Sequence, residues 1–341
     1  MLEASIENND GACDQFVKES RSGNIYQLSG IRRVISSTFG HDSFCLSVRD
    51  GSEITGVLPL VHMRSRLFGN FLVSMPFFNY GGVCTESENS RQALLEGAIV
   101  EAKRRHVDHI ELRHGEQQFE TLQSKNHKVA MILELPKTSE ELWKAFKSKL
   151  RSQIRKPEKE GIIVKYGKKE LLDHFYHVFS INMRDLGTPV YSKKLFQNML
   201  QHYQDNAWIV VAFKDDIPVA AGFLVGFNDK MEIPWASSLR SYNRMAPNML
   251  MYWESLKLAI EQGYNSFDFG RSSPDEGTYK FKQQWGAIAR NMCWEYWLTD
   301  EGQLPDFSPK NNKYQSAIQV WQKLPLSVTR ILGPAIVKNI P

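Results

Sequence analysis

Two stretches of this chain repeat one order of elements, and that repetition limits its possible folds more than any other feature. The first opens with FCLSVRDGSEITGVLPLV from Phe44, passes through the helix-period run SRQALLEGAIVEAKRRH, and closes on HIELRH at residues 109–114. The second opens with WIVVAFKDDIPVAAGFLV from Trp208, passes through PNMLMYWESLKLAIEQG, and closes on SFDFGR at 266–271. Both read strand, polar turn, strand, further strand, helix, strand. Leu94, Leu95, Ala98, Ile99 and Ala102 mark one apolar helix face, as Met249, Trp253, Leu256 and Ile260 do in the other copy. Gly263 supplies a helix stop. The pattern predicts an α/β (α+β) chain of two related domains with a cleft between the halves. With 341 residues and 42% hydrophobic content, each domain has enough apolar mass for a core.

Between the copies, Thr138 and Glu141 form a capping-box signature, and Leu142, Phe146, Leu150 and Ile154 then recur every four residues. This spacing predicts one helix that Pro157 stops or bends. Its other faces carry Lys144, Lys147, Lys149, Arg151, Arg155 and Lys156. Such a run is either a solvated face or a groove for a phosphate-bearing substrate. The expected boundaries are 1–137 for the first domain, 138–300 for the second with its basic helical entry, and 301–341 for a helical tail packing back on the first domain. The tail alternates apolar groups with Lys323, Arg330 and Lys338, so it could instead rest on a membrane surface.

A net charge of +4 is too mild for a general nucleic-acid binder, so an anionic partner must be met locally. The first two dozen residues hold no apolar run flanked by basic residues, and no apolar stretch approaches the roughly 20 residues that span a bilayer. Cys13, Cys45, Cys84 and Cys293 stand apart without a C-x-x-C pair, which fits buried thiols rather than disulfides or zinc. Neither His106 with His109 nor His174 with His177 has a third ligand nearby. No P-loop, dinucleotide fingerprint or Ser-His-Asp order is present. These readings predict a cytoplasmic monomer without bound metal or tightly held cofactor.

Candidate site residues gather in four stretches. In NMRDLGTPVYS (182–192), Arg184 sits at a helix end, where it could clamp a diphosphate or cap the helix carbonyls. Gly187, Pro189 and Tyr191 shape the connection that follows. In SMPFFNYGGV (74–83), Asn79 and Tyr80 stand before a glycine pair that lets backbone approach a ligand. IPWASSLRSYNRMAPN (233–248) carries Trp235, Ser237, Arg240 and Arg244 ahead of a helix that Pro247 begins, and a helix start attracts anions. An ordinary coenzyme A turn would place glycines here, and there are none. Finally, FDFGRSSPDEGTYKFKQQWG (267–286) leaves a strand with Asp268, Arg271, Phe281 and Lys282. An extended chain would send Phe281 and Lys282 to opposite sides, one to pack and one to face substrate. A lysine beside a reacting carbonyl stabilises its developing oxyanion. Asp268 is a candidate base, with Glu86 or the substrate itself as others.

LRSQIRKPEKEG (150–161), MRDLGTPVYS, WASS (235–238), DFGRSSPDEGTYKFKQQWGA (268–287) and SMPFFNYGGV together resemble the FemAB-like proteins, in particular the branch associated with exosortase and exopolysaccharide gene clusters. The resemblance spans about Ile25 to Pro341. It implies two tandem GNAT-like domains and transfer of an aminoacyl group from charged tRNA to an amine of a peptidoglycan precursor. It also implies Arg184 as the diphosphate arginine of the second domain, Arg32 or Arg33 as its first-domain counterpart, Phe281 and Lys282 as the reactive pair, and Trp235 as a pocket aromatic. Arg151 is carried along as a contact from the basic helix. The chain lacks the long helical hairpin of some members, so the donor stays open between aminoacyl-tRNA and acyl-CoA, and the acceptor between peptidoglycan and exopolysaccharide intermediates. The rival readings are an acetyl-CoA-dependent N-acetyltransferase on the same fold and a non-catalytic nucleic-acid or envelope-assembly module.

Overall fold

The computed structural model describes residues 2–66, 68–299, 304–305 and 312–340. Its elements run in chain order as β1 (Ala4–Ile6), α1 (Asp10–Glu19), α2 (Ser29–Phe39), β2 (Asp42–Asp50), β3 (Glu53–Ser65), β4 (Gly69–Val73), α3 (Glu88–Arg104), β5 (His109–His114), β6 (Gln123–Lys125), β7 (Val129–Glu134), α4 (Ser139–Ala145) and α5 (Ser148–Lys159). There follow β8 (Ile162–Gly167), α6 (Leu172–Leu186), α7 (Lys193–His202), β9 (Ala207–Lys214), β10 (Ile217–Phe227), β11 (Lys230–Ser238), α8 (Pro247–Glu261) and β12 (Ser266–Ser272). The last elements are α9 (Gly277–Gln283), β13 (Ile288–Asn291), β14 (Cys293–Leu298), α10 (Asn312–Lys323) and α11 (Leu326–Val337). Two helices, a three-strand meander, a crossover helix and a parallel strand thus occur twice, as the repeat predicts.

The chain divides into two compact units, one of residues 1–129, 291–307 and 338–341, the other of 130–290 and 308–337. Each has one seven-stranded sheet, β1-β2-β3-β4-β5-β14-β6 in the first and β13-β7-β12-β11-β10-β9-β8 in the second. The expected boundaries at 137 and 300 therefore shift. β7, which follows the first repeat, joins the second sheet beside β12, and β14, which follows the second repeat, joins the first sheet beside β5. Neither strand's own sequence says which parallel strand it will flank.

In the second unit, the aromatic side chains Phe175 and Phe179 of α6 and Phe196 of α7 cover one face of the sheet against Phe223 and Trp235. α4, α5 and α8 form the other layer. The single basic helix expected over 138–157 is two helices, broken where Phe146 and Lys147 adopt extended backbone angles. The Phe146 ring at the break lies edge-on to Trp253 and Trp285, at 5.6 Å from each, pairs worth about 0.5–1.5 kcal/mol beyond their buried area. Pro157 lies inside α5 instead of stopping it.

Helices α10 and α11 of the tail pack on α6 of the second unit, while the described residues of the tail before residue 308 and from 338 onward group with the first unit. Pro325 separates α10 from α11, while Pro334 lies within α11. Residues 301–303, 306–311 and 341 of the expected tail lie outside the described residues. All four cysteines are free and buried. Among the described residues, no helix is long and apolar enough to cross a membrane.

Candidate active site

β11 and β12 run parallel through Lys230↔Ser266, Met231↔Phe267 and Glu232↔Asp268, and the ladder goes no further. The sequence supplies the reason. The register of β11 against β10 slips so that Leu224 alone faces Ile233 and Pro234. A proline has no N–H for a ladder, and a bulge bends its strand. Beyond this point the two strands part, and their ends carry the candidate residues.

Where β12 parts from β11, Asp268 makes a local turn. Its Oδ1 accepts the Gly270 N–H at 2.7 Å, an aspartate bonding its own backbone two residues on. Gly270 has φ of 76°, a left-handed conformation that side chains disfavour. The turn aims two carbonyls at α9, where Lys282 Nζ donates to Gly270 O and Arg271 O, both at 2.9 Å. Lys282 is only 7% exposed. An ammonium has three N–H groups, so one remains.

Burial is the main influence on this lysine, pulling its pKa down to about 8 from 10.5. Asp268 and Glu232 act against that drop, and Arg271 adds to it. The two carboxylates are both buried and occupy paired positions across β11 and β12. Glu232 escaped the sequence reading, because nothing in KMEIPWASS marks one strand residue as the neighbour of Asp268. Only the register of the parallel pair reveals it. Asp268, a candidate base by sequence, has 0% exposure and faces Lys282.

Phe281 and Lys282 lie within α9, not in extended chain. Their side chains diverge by the roughly 100° between successive helix residues. Phe281 packs at 5.1 Å from Tyr252, which stacks in turn on Phe269 at 5.5 Å. Trp285 lies 6.3 Å from Phe281. These rings pack α9 against α8 and β12, which fixes the helix that carries Lys282. Arg271 is exposed at the strand end.

A second group forms further along β11, roughly 15 Å of strand beyond Glu232. Asn182 Nδ2 donates to Ser237 Oγ at 3.1 Å. Trp235 meets Phe196 at 5.1 Å and Tyr191 at 6.3 Å. Tyr176 fixes the loop by donating its hydroxyl to Tyr191 O at 3.0 Å. Arg184 is paired with Asp185 at 2.8 Å, and Arg240 Nη2 donates to Asp185 O at 2.9 Å. The fold therefore brings two guanidinium groups, distant in sequence, to one helix end. Arg240 begins a 3-10 turn that runs to Met245, followed by Ala246 with φ of 54°.

Other expected residues fall elsewhere. Arg151 belongs to the α4–α5–α8 layer, carried there because Leu150 and Ile154 dock α5, so it is not on the sheet face of Trp235. Asn79 and Tyr80 are half-buried in the first unit, where Asn79 O accepts from Trp294 Nε1 at 3.3 Å and Tyr80 stacks on Tyr26 at 6.5 Å. Arg32 and Arg33, the first-domain cation candidates, both bond Asp10. Glu86 is in the first unit and accepts the Ser22 N–H at 3.2 Å. Among the described residues, no group of three or more His, Cys, Asp or Glu could hold a metal ion.

Residues 144–283 match the family described as the acetyltransferase (GNAT) domain, a span holding every candidate of the second unit. No curated protein sequence matches the chain. Among solved structures, FemX superposes with a TM-score of 0.70 at 16% identity, covering 88% of this chain and 98% of its own. L-PGS from Bacillus licheniformis gives 0.56 at 12% identity, covering 95% and 96%. A tandem GNAT protein from the clavulanic acid biosynthesis pathway gives 0.54 at 11% identity, covering 89% and 100%. At these identities the likeness is one of fold: two tandem GNAT-like halves.

Proposed function

We propose, from the premise of a GNAT acyltransferase domain over residues 144–283 within a FemX-like tandem fold, that this chain moves an aminoacyl or acyl group onto an amine of an anionic cell-envelope precursor, a peptidoglycan or exopolysaccharide intermediate. The observation that carries this reading is Lys282, a buried ammonium fixed by two carbonyls at the mouth of a parted strand pair. The acceptor amine attacks the donor's carbonyl carbon, the carbonyl oxygen takes up negative charge, and the remaining Lys282 N–H stabilises it. The amine then loses its proton and the donor's oxygen or sulfur leaves. Preorganised donors in a water-poor site are worth a few kcal/mol to such a step. In this reading Asp268 and Glu232 keep Lys282 charged, and the proton passes to another group. Arg184 and Arg240 bind the anionic part of the acceptor, while Tyr191, Trp235 and Ser237 line its path. Arg271 lies at the strand exit beside Lys282.

The donor is aminoacyl-tRNA or acyl-CoA. The GNAT match favours acyl-CoA. The β11–α8 connection supports the other, since a 3-10 turn with Arg240 and Arg244 replaces a glycine-rich phosphate cradle. Incubating the chain with charged tRNA, acetyl-CoA, and nucleotide- or lipid-linked glycans, then measuring the acceptor's mass gain, tests the reading. No gain with any pair, or turnover of Lys282→Ala within about threefold of wild type where about 100-fold loss is expected, would refute it.

A further inference from the structure

α11 shows two opposite faces. Thr329, Gly333 and Val337 are buried toward the body of the second unit. Gly333 sits so close to the loop after α6 that a Cβ there would lie 2.8 Å from Val190 N and 2.9 Å from Val190 O. Arg330 Nε donates to Ser180 Oγ at 3.0 Å, and Gln322 of α10 donates to Asp185 O at 3.1 Å. The inner face is thus locked onto the segment that carries Arg184 and Tyr191. The outer face is bare: Ile331 is 74% exposed, Leu332 46% and Ile336 37%, and Val320 of α10 is 62% exposed. Residues 331, 332, 335 and 336 form one helical stripe. Of the eleven exposed large apolar side chains among the described residues, four fall in these two short helices, too dense a grouping to be scatter.

The occupant is argued from charge. From Phe307 to the end the sequence holds five cations, Lys310, Lys313, Lys323, Arg330 and Lys338, and no acidic side chain. Of these, Lys323 and Lys338 are exposed, so two copies meeting through this face would bring like charges together with no acidic side chain of the segment to offset them, whereas an anionic lipid surface supplies the counter-charge. We infer that the outer face of α11 is a contact for an anionic phospholipid surface, placing the segment of Arg184 and Tyr191 beside that surface. The inference does not depend on the acyl-transfer reading.

Vesicle co-sedimentation of the full chain tests it without any donor or acceptor, so its failure and that of the transfer reading are separable. The probes are pure phosphatidylcholine vesicles and vesicles of phosphatidylcholine mixed equally with phosphatidylglycerol. The chain is expected to pellet with the mixed vesicles only, and to be released by salt. The Ile331→Ser/Leu332→Ser double variant, whose positions face solvent, is expected to bind at least about tenfold more weakly with an unchanged melting midpoint. Absence of pelleting with the anionic vesicles overturns the inference. So does equal binding to both vesicle types, or a wild-type dimer in light scattering that the double variant dissociates while vesicle binding stays the same.

Discussion

In the first unit the parallel strands β4 and β5 part after Val73↔Glu111, and the chain's own loop fills the gap. Ser74 N bonds Glu111 O at 2.9 Å, Gly82 N bonds Arg113 O at 3.0 Å, and Val83 N reaches His114 Nε2 at 2.9 Å. Within that plug Arg113 pairs with Glu111 at 2.7 Å, both nearly sealed from solvent, and Glu295 takes His114 and the amides of Gln118 and Phe119. In the second unit β11 and β12 part after Glu232↔Asp268, and a lysine occupies the opening. Both units bury charge at the same topological place. In the first, Arg113, Glu111, His114 and Glu295 pair with one another or with the unit's own backbone; in the second, one ammonium keeps an N–H to give. In the proposed reading, duplication of the fold leaves one copy as scaffold while the other carries the chemistry.

The comparison is most easily broken at Arg113. Arg113→Ala leaves the Glu111 carboxylate buried without its partner and is expected to cost about 3–5 kcal/mol in denaturant unfolding. If the variant is as stable as wild type, the plug is not what holds the first unit together. Lys282→Ala should do the reverse, removing about 100-fold or more of turnover, near 2.7 kcal/mol of barrier, with the protein still folded by circular dichroism. The pH profile sharpens the contrast. Lys282 has a folded pKa near 8 and an ordinary value of 10.5. Turnover that needs the ammonium falls as pH rises past about 8, by about tenfold per unit. The unfolded chain binds the proton that the folded chain has lost between these two values, so this residue's contribution to stability rises with pH across the same window. A profile flat to pH 10 would mean that the charge on Lys282 is not used. Glu232→Gln removes one of the two supporting carboxylates and should move the alkaline limb to lower pH by up to about one unit, while Glu101→Gln in the first unit leaves that limb in place. The smallest effect is expected at Ala246, whose left-handed backbone costs about 1 kcal/mol. Ala246→Gly should raise the melting midpoint slightly, and a lowered midpoint would show that the methyl group is packed and needed.

The amino-acid sequence alone determined the duplicated element order, the apolar faces of α3 and α8, and the residues at the ends of β11 and β12, because strand alternation, helical period and turn chemistry are local properties that each short stretch carries by itself. Tertiary structure decided what depends on pairing across distance: which sheet β7 and β14 enter, that a helix breaks at Phe146, whose ring meets two tryptophans, that Arg151 follows its apolar stripe to the far layer, and that α10 and α11 settle on α6. It also decided the state of Lys282. A lysine's charge depends on the water removed around it and on the carboxylates beside it, and here Glu232 comes from one strand, Asp268 from another and the lysine itself from α9, parts that meet only once the chain has folded.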